Sequence, residues 1–444
     1  MDGKPKAIII GSGLSGMTAA IDLGEAGYDV HVFEKRHIIG GRTSSWNENG
    51  MMIESGLHRF LGMYTELPRL LKKVDINLDE MLCWEDEIEI RLPDGPNAVF
   101  GASILHKPVK TVKSALGHSD FYSLEEKLAL GKMFAAGLKD YKANPTELDG
   151  YTVLEYAVKH GVPDRAVERI LKPLTEGIFF MPIQNYSAYN FIGLFAPFIP
   201  KLYKVRVGAF MGGMTEIMMQ PLARYVTEMG GRISVGANVG RIEAKAGKVQ
   251  AVWVAGVRHE ADCVVLAASL TGAQNIIRQS FPREEYFADM LELMSMPAVT
   301  VQLDLAEPAL DIDRTTFGPT TSLVSFSEQS RTTFRSSTGR LSVILATPEH
   351  FIERSDEAIL QAVSDDAMKI GIDLSGKIKD YRVVRLPGDF YSLQSGSEAL
   401  RPEQRTSISG LALAGDYTKQ KYLATMEGAV VSGHAATDAI LNRI

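Results

Sequence analysis

Two short glycine-bearing strings, at opposite ends of a 444-residue chain, carry the residue types and spacings best suited to chemistry. The first is Gly11-Ser12-Gly13-Leu14-Ser15-Gly16, directly after the apolar run Ala7-Ile8-Ile9-Ile10. Glycines at these spacings allow a tight turn, close backbone approach to a pyrophosphate, and close packing of the next helix on its strand. A helix starting there offers unpaired N–H groups and a positive dipole end to phosphate. Glu34 stands 18 residues after Gly16, at the end of a second apolar run, where an acid binds ribose hydroxyls; Lys35 follows it. The second string, Leu413-Ala414-Gly415-Asp416-Tyr417-Thr418, ends another apolar run in Gly-Asp, and Met426-Glu427-Gly428-Ala429 then opens a helix.

These residues need a parallel sheet to hold them. Residues 7–10 read as a buried strand, 17–26 as a helix and Asp29–Phe33 as a second strand. Further on, 214–229 reads as a helix closed by Gly230-Gly231, and 232–235, 239–243, 249–254 and 264–267 as strands. The expected fold class is α/β. A discontinuous nucleotide-binding domain comprises 1–95, 213–285 and 405–444, and 96–212 with 286–404 form an inserted α+β substrate domain. The first insertion reads as helical (123–141, 153–160, 164–175). The second mixes strands (298–305, 341–346) with a helix (356–370), which suggests a sheet with helices on one side. A chain of this length favours two joined cores over one.

Composition is that of a globular protein, with 45% hydrophobic and 23% charged residues. A net charge of −7 argues against non-specific nucleic-acid binding. Two cysteines, Cys83 and Cys263, supply neither metal spacing nor a disulfide framework, so no metal site is expected and a reducing compartment is. The N-terminus does not read as a signal peptide, and no 18-residue segment is apolar enough for an evident span. Residues 177–200 carry no formal charge and include Phe179, Phe180, Tyr186, Tyr189, Phe191, Phe195 and Phe198; Lys201, Lys204 and Arg206 follow. An aromatic patch rimmed by cations suits a surface dipping into one leaflet. The expectation is therefore a cytoplasmic protein held peripherally at the inner face of a membrane through 177–206, in a helical membrane-facing subdomain. Lining of a substrate tunnel, or plain core, are the other readings of these aromatics.

Ile39-Gly40-Gly41-Arg42-Thr43 resembles the flavoprotein signature of the FAD-dependent amine oxidase and carotenoid desaturase superfamily. The string from Leu413 to Val430 resembles that of plant- and cyanobacterial-type phytoene desaturases and the related zeta-carotene desaturases. Ser55-Gly56-Leu57-His58-Arg59-Phe60-Leu61-Gly62-Met63-Tyr64 resembles their Gly-Leu-His segment, and Gly161-Val162-Pro163-Asp164-Arg165 and Arg401-Pro402-Glu403-Gln404-Arg405 also have counterparts there. The matches are densest in about a hundred residues at the two ends.

The resemblance implies a Rossmann-type FAD-binding domain of the amine oxidase and glutathione reductase kind, a long polyene substrate and a quinone acceptor. It implies that Arg42 neutralises the pyrophosphate, Asp416 binds the ribityl chain, the backbone at Val239 meets adenine, and Met426 to Ala429 face the flavin. Gly41, Gly56, Leu57 and His58 join the cofactor contacts. Glu427 also counts among them, although a cap on its own helix is the plainer expectation for it. Desaturation would proceed by hydride transfer to flavin N5. His58, Arg59, Tyr417 and Tyr422 are the candidates for catalytic or substrate contact.

Two departures bear on substrate. Phytoene desaturases carry Pro-Pro-Glu-Arg where this chain reads Gly213-Met214-Thr215-Glu216-Ile217, so the arginine is absent. Arg59 replaces an apolar or aromatic residue and adds a cation for an anionic or polar substrate end, or a salt-bridged surface arginine. Other readings are a flavin amine oxidase, an isoprenoid oxidoreductase like hydroxysqualene dehydroxylase, and a non-catalytic flavin- or lipid-binding protein. A homo-oligomer is compatible with all of them.

Overall fold

The computed structural model describes residues 3–93, 95–101, 109, 117 and 120–443, with backbone alone at 202 and 389. The expected insertion at 96–212 therefore lies partly outside the described residues. At the centre of the nucleotide-binding half is a five-stranded parallel sheet in the order Arg232–Ser234, Asp29–Phe33, Lys6–Ile10, Cys263–Leu266, Leu411–Leu413. Its strands come from three distant stretches of chain. Lys6–Ile10 is buried on both faces: Ile8 and Ile10 enter one core cluster, Ala7 and Ile9 another. That is why it reads as an unbroken apolar run rather than an alternating one. Helices Leu14–Glu25 and Met426–Ile440 pack together on this sheet. The antiparallel strands Val239–Lys245, Lys248–Val254 and Val257–Glu260 form an accessory layer, with a bulge just after Val239.

A second sheet has seven strands, ordered Ile378–Tyr391, Ser295–Leu305, Gly339–Leu345, Leu323–Glu328, Thr316–Phe317, Glu87–Ile90, Ala98–Gly101. Helix Asp356–Lys369 covers one face through Ile359, Val363 and Ala367. One strand of this sheet comes from within the expected first piece, 1–95. Glu87–Ile90 belongs with this sheet, because Glu89 N donates to Thr315 O at 3.0 Å and Arg91 N to Phe317 O at 2.9 Å. Pairing across more than two hundred residues leaves no mark on local pattern.

The intervening helices include Leu124–Ala143, started by a reciprocal Ser123–Glu126 capping box, then Val153–Lys159, Lys172–Phe179 and Ala188–Phe195. They turn the aromatics of 177–200 inward. Phe179, Phe180, Tyr186, Phe191 and Phe198 are buried, and Tyr189 and Phe195 half-buried, packed edge to face as in Phe191 on Phe195. The expectation that these rings face a membrane is corrected: they fill core and wall a cavity. The exposed apolar residues lie at its end, with Ile199 40% and Tyr203 50% exposed, while mid-segment the polar Gln184 and Asn185 are exposed. Among the described residues no helix is long and apolar enough to cross a membrane.

Candidate active site

A cavity of about 1000 Å³ runs between the two sheets. At one end the backbone of Gly11, Ser12, Gly13, Leu14 and Ser15 forms its wall. Helix Leu14–Glu25 has no side-chain cap, so its first N–H groups border the cavity without intrahelical partners. A Cβ built on Gly13 meets nothing nearer than Gly40 O at 3.9 Å, so the space above it is open. Gly16 is different: a Cβ there would lie 2.1 Å from Gly11 O, and the residue packs helix on strand without reaching the cavity.

Glu34 is fixed by its own neighbours. One carboxylate oxygen accepts from Ser12 N at 2.9 Å and Ser12 Oγ at 2.6 Å, the other from Arg36 N at 2.8 Å. Glu34 and Lys35 both line the cavity. Arg36, a residue the sequence reading missed, donates to Gly41 O and Ser44 Oγ and holds the glycine loop in place. Gly41, in that loop with φ 57°, faces Gly13. Val239 and its neighbours Asn238 and Gly240 close this end.

At mid-cavity, Arg42 and Asp416 meet from opposite ends of the sequence, with Nη2 2.6 Å from Oδ1. Arg42 also lies 5.0 Å over the Phe390 ring. Asp416 is held from behind by the fully buried Arg401, which donates to the carbonyls of Asp416, Tyr417 and Thr418 and pairs with Glu398 at 2.8 Å. Gly415 N donates to Ser432 Oγ at 2.6 Å. The first turn of Met426–Ile440, capped by Thr425 Oγ1 on Gly428 N, brings Met426 and Ala429 to the same wall.

The same cavity is lined by Gly56, Leu57, His58 and Arg59 and by Leu174, Ile178, Phe179, Phe180, Phe195 and Phe390. His58 Nδ1 is 3.0 Å from Gly56 O, so Nδ1 carries the proton in the neutral ring. Burial lowers the His58 pKa to about 4, which keeps it uncharged near neutrality. Arg59 is neither exposed nor free. It pairs with Asp313 at 2.6 Å and Glu85 at 2.7 Å, and the expected charge for an anionic substrate end is thereby balanced within the chain.

Three further expectations are corrected. Tyr417 is buried under Gly415 and does not line the cavity. Tyr422 packs on Phe198 with ring centroids 5.4 Å apart and tilted by 36°, and lines a separate outer cleft with Asp22 and His434. Arg401 draws the carbonyls of Asp416, Tyr417, Thr418 and Gln420 to itself, and the tyrosine rings go where that loop path leaves them. Glu427 touches neither the cavity nor its own helix start. Its carboxylate accepts from Thr65 N, Thr65 Oγ1, Glu66 N and Leu67 N, capping the neighbouring helix Glu66–Lys73.

A glycine turn at an uncapped helix start, an acid at the end of the second strand, and an Arg–Asp pair at mid-groove define a dinucleotide-binding oxidoreductase site on a parallel sheet. The chain belongs to the flavin containing amine oxidoreductase family, whose model matches residues 14–441. It is 26% identical to the 15-cis-phytoene desaturase of Synechococcus elongatus, over 99% of this chain and 96% of that one. It is likewise 26% identical to the zeta-carotene desaturase of Capsicum annuum, over 98% and 80%. The fold is shared with putrescine oxidase bound to putrescine, at a TM-score of 0.79 and 17% identity over 99% of both chains. The protein is an FAD-dependent oxidoreductase. The residues present fit FAD: the open cradle at Gly13, and Asp416 Oδ2, buried and without a hydrogen-bond partner among the described residues.

Proposed function

We propose that this protein desaturates a long apolar isoprenoid, of which a carotene such as phytoene or zeta-carotene is the type, and passes the electrons to a quinone. The observation that carries this reading is the continuity of one cavity. Its nucleotide-binding end and its aromatic, aliphatic end are a single space. FAD, when bound, supplies the hydride acceptor. Gly11 to Ser15, Glu34, Lys35, Gly41 and Val239 would hold its adenosine and phosphates. Arg42, Asp416, Met426, Ala429, Gly56, Leu57 and His58 would hold the remainder.

The chain's own contribution to turnover is placement. Ile178, Phe179, Phe180, Phe195 and Phe390 orient an apolar chain and keep water from the reacting carbon. His58, neutral and with Nδ1–H committed to Gly56 O, serves as a fixed polar contact. The pieces 1–95, 213–285 and 405–444 supply most of the cofactor contacts. Residues 96–212 and 286–404 supply most of the substrate walls. The 177–206 segment walls the cavity at Phe195 and reaches the surface at Ile199 and Tyr203, beside Lys201 and Lys204. In this reading that end touches the membrane from which an insoluble substrate enters. The support from relatives is their names, phytoene and zeta-carotene desaturase, over nearly the whole chain.

The test is anaerobic bleaching of the flavin band by phytoene, zeta-carotene, squalene derivatives and amines, with mass spectrometry of the products. Bleaching by a polyene with loss of two hydrogens is expected. Bleaching by amines alone would move the protein to the oxidase branch.

A further inference from the structure

Removing two hydrogens from a saturated carbon pair takes a hydride acceptor and a base: one carbon gives up a hydride, and its neighbour loses a proton. FAD supplies the first. The second has to come from a titratable side chain at the cavity wall. Among the described residues there, Lys35, Arg36, Arg42 and Arg59 are cations with no lone pair to offer. Tyr64 is a phenol that burial pushes further up in pKa, so it keeps its proton. Of the two carboxylates, Glu34 is taken by Ser12 and the Arg36 amide, and Asp416 is paired with Arg42 and assigned to FAD. That leaves His58.

The His58 ring is placed for the task. Nδ1–H donates to Gly56 O at 3.0 Å, which fixes the tautomer and leaves the lone pair on Nε2. A Cβ built on Gly56 would lie 3.4 Å from His58 Cε1, so that edge of the ring rests on its own turn. Nε2 has no hydrogen-bond partner among the described residues and is not sealed off by protein atoms. On a half-buried side chain that lines the cavity, its lone pair is open to that space. The ring also stands where cofactor residues and aromatic wall meet. Ser55 Oγ donates to Arg42 O, tying the turn at 55–58 to the Arg42 loop, and the Arg42 charge acts on the ring. Arg42 in turn pairs with Asp416 and lies 5.0 Å over Phe390, whose ring is 5.7 Å from that of Phe180.

We infer that His58 is the base of the desaturation, taking a proton through Nε2 from the carbon next to the one that yields its hydride. This rests on the desaturase reading. The electrons balance: the hydride leaves with the pair of one C–H bond, and the pair of the second C–H bond becomes the new C=C bond as Nε2–H forms. Returning the cofactor to its oxidised form on a quinone consumes that hydride and one proton, so the proton on Nε2 has a destination. Burial, and then the charges of Arg42 and Arg59, hold the ring's pKa at about 4. The ring is therefore neutral and ready near neutrality, and so weak a base is enough because the acid it meets is a carbocation.

The experiment follows anaerobic single-turnover bleaching of the FAD-loaded full chain by phytoene and by zeta-carotene in detergent, with binding measured separately by equilibrium dialysis. His58→Asn keeps an N–H for Gly56 O and removes the basic nitrogen. It is expected to retain flavin absorbance and polyene affinity and to bleach about 100-fold more slowly, because a cation that keeps its proton takes the hydride back. His58→Ala should regain rate with added 1-methylimidazole, a base with no N–H to replace the Gly56 tether, and this variant decides if the asparagine one loses its flavin. Wild-type rate in His58→Asn, or no rescue of His58→Ala, overturns the base. Nitrogen-15 NMR of the histidine-labelled holoprotein adds a readout that needs no turnover. At pH 7 it should show Nδ1 protonated and Nε2 bare; a protonated Nε2 overturns the inference whatever the substrate. The two readings fail apart. Wild type that neither polyene bleaches removes the desaturase and the base together, whereas equal bleaching of wild type and His58→Asn removes the base alone.

Discussion

Glu54 sits at the end of Met51–Glu54 with its backbone tied to Gln302 in both directions, at 3.2 and 2.6 Å. One carboxyl oxygen accepts from Gln329 at 3.4 Å, and the backbone of Met214 also faces the carboxyl group. Burial raises its pKa from 4.5 to about 7. The folded state therefore binds more protons than the unfolded one between those values. The stability this confers is fully present below pH 4.5 and is lost as pH rises through 7. His58 acts in the opposite sense: its pKa falls from 6.5 to about 4, so its contribution is present above pH 6.5 and lost on acidification. Glu54→Gln keeps the shape and removes only the first effect. Its melting temperature should match wild type near pH 5 and exceed it above pH 8, by calorimetry across that range. Parallel curves would mean the carboxyl is ionised in the fold. Gly13 and Gly16 supply a second contrast. Gly13→Val enters open space, so a folded but colourless protein is expected; Gly16→Val meets Gly11 O and should not fold. Yellow Gly13→Val protein would remove the turn from the cofactor site.

At the scale of elements, what is local was readable and what is long-range was not. The first strand, its glycine turn and its helix announce themselves through an unbroken apolar run and turn chemistry within a few residues. Thr300 and Ser325, each paired with Ile344 from either side, do not. Hydroxyl residues in strands read as solvent-facing, and only the pairing with Gly339–Leu345 turns them toward a cavity. Asp313 and Glu85, more than two hundred residues apart, likewise gain their meaning only when both reach Arg59. Glu427 shows that a carboxylate at a helix start need not cap its own helix. Thr425 caps its own helix, and the glutamate is left to join Met426–Ile440 to Glu66–Lys73 through four donors. Glu427→Gln removes the charge and one acceptor, at a cost of about 1–3 kcal/mol. Thermal unfolding should detect that loss while the flavin spectrum stays unchanged. A shifted flavin band at unaltered stability would return Glu427 to the cofactor site.

For the molecule as a whole, the question is how an insoluble substrate reaches an interior cavity. In the proposed reading, the aromatic segment leads from the cavity wall to the surface. Leu194 and Phe195 wall the cavity, Phe198 packs between Tyr64 and Tyr422, and Ile199 is already exposed. Tyr203 follows, half open, between Lys201 and Lys204. Apolar tips flanked by lysines bind an anionic bilayer through both burial and charge, each weak alone. Ile199→Asp with Tyr203→Asp opposes both terms without touching the buried rings. The double variant should lose flotation with vesicles containing anionic lipid, yet keep its flavin colour and its turnover of a detergent-solubilised polyene. The lysines add a salt test: wild-type flotation should weaken as ionic strength rises and the Debye length falls to about 3 Å near 1 M salt. If the double variant floats as wild type does, another face meets the lipid. If it loses turnover in detergent as well, the tip is part of the substrate wall, and cavity and surface are coupled more tightly than a simple entrance requires.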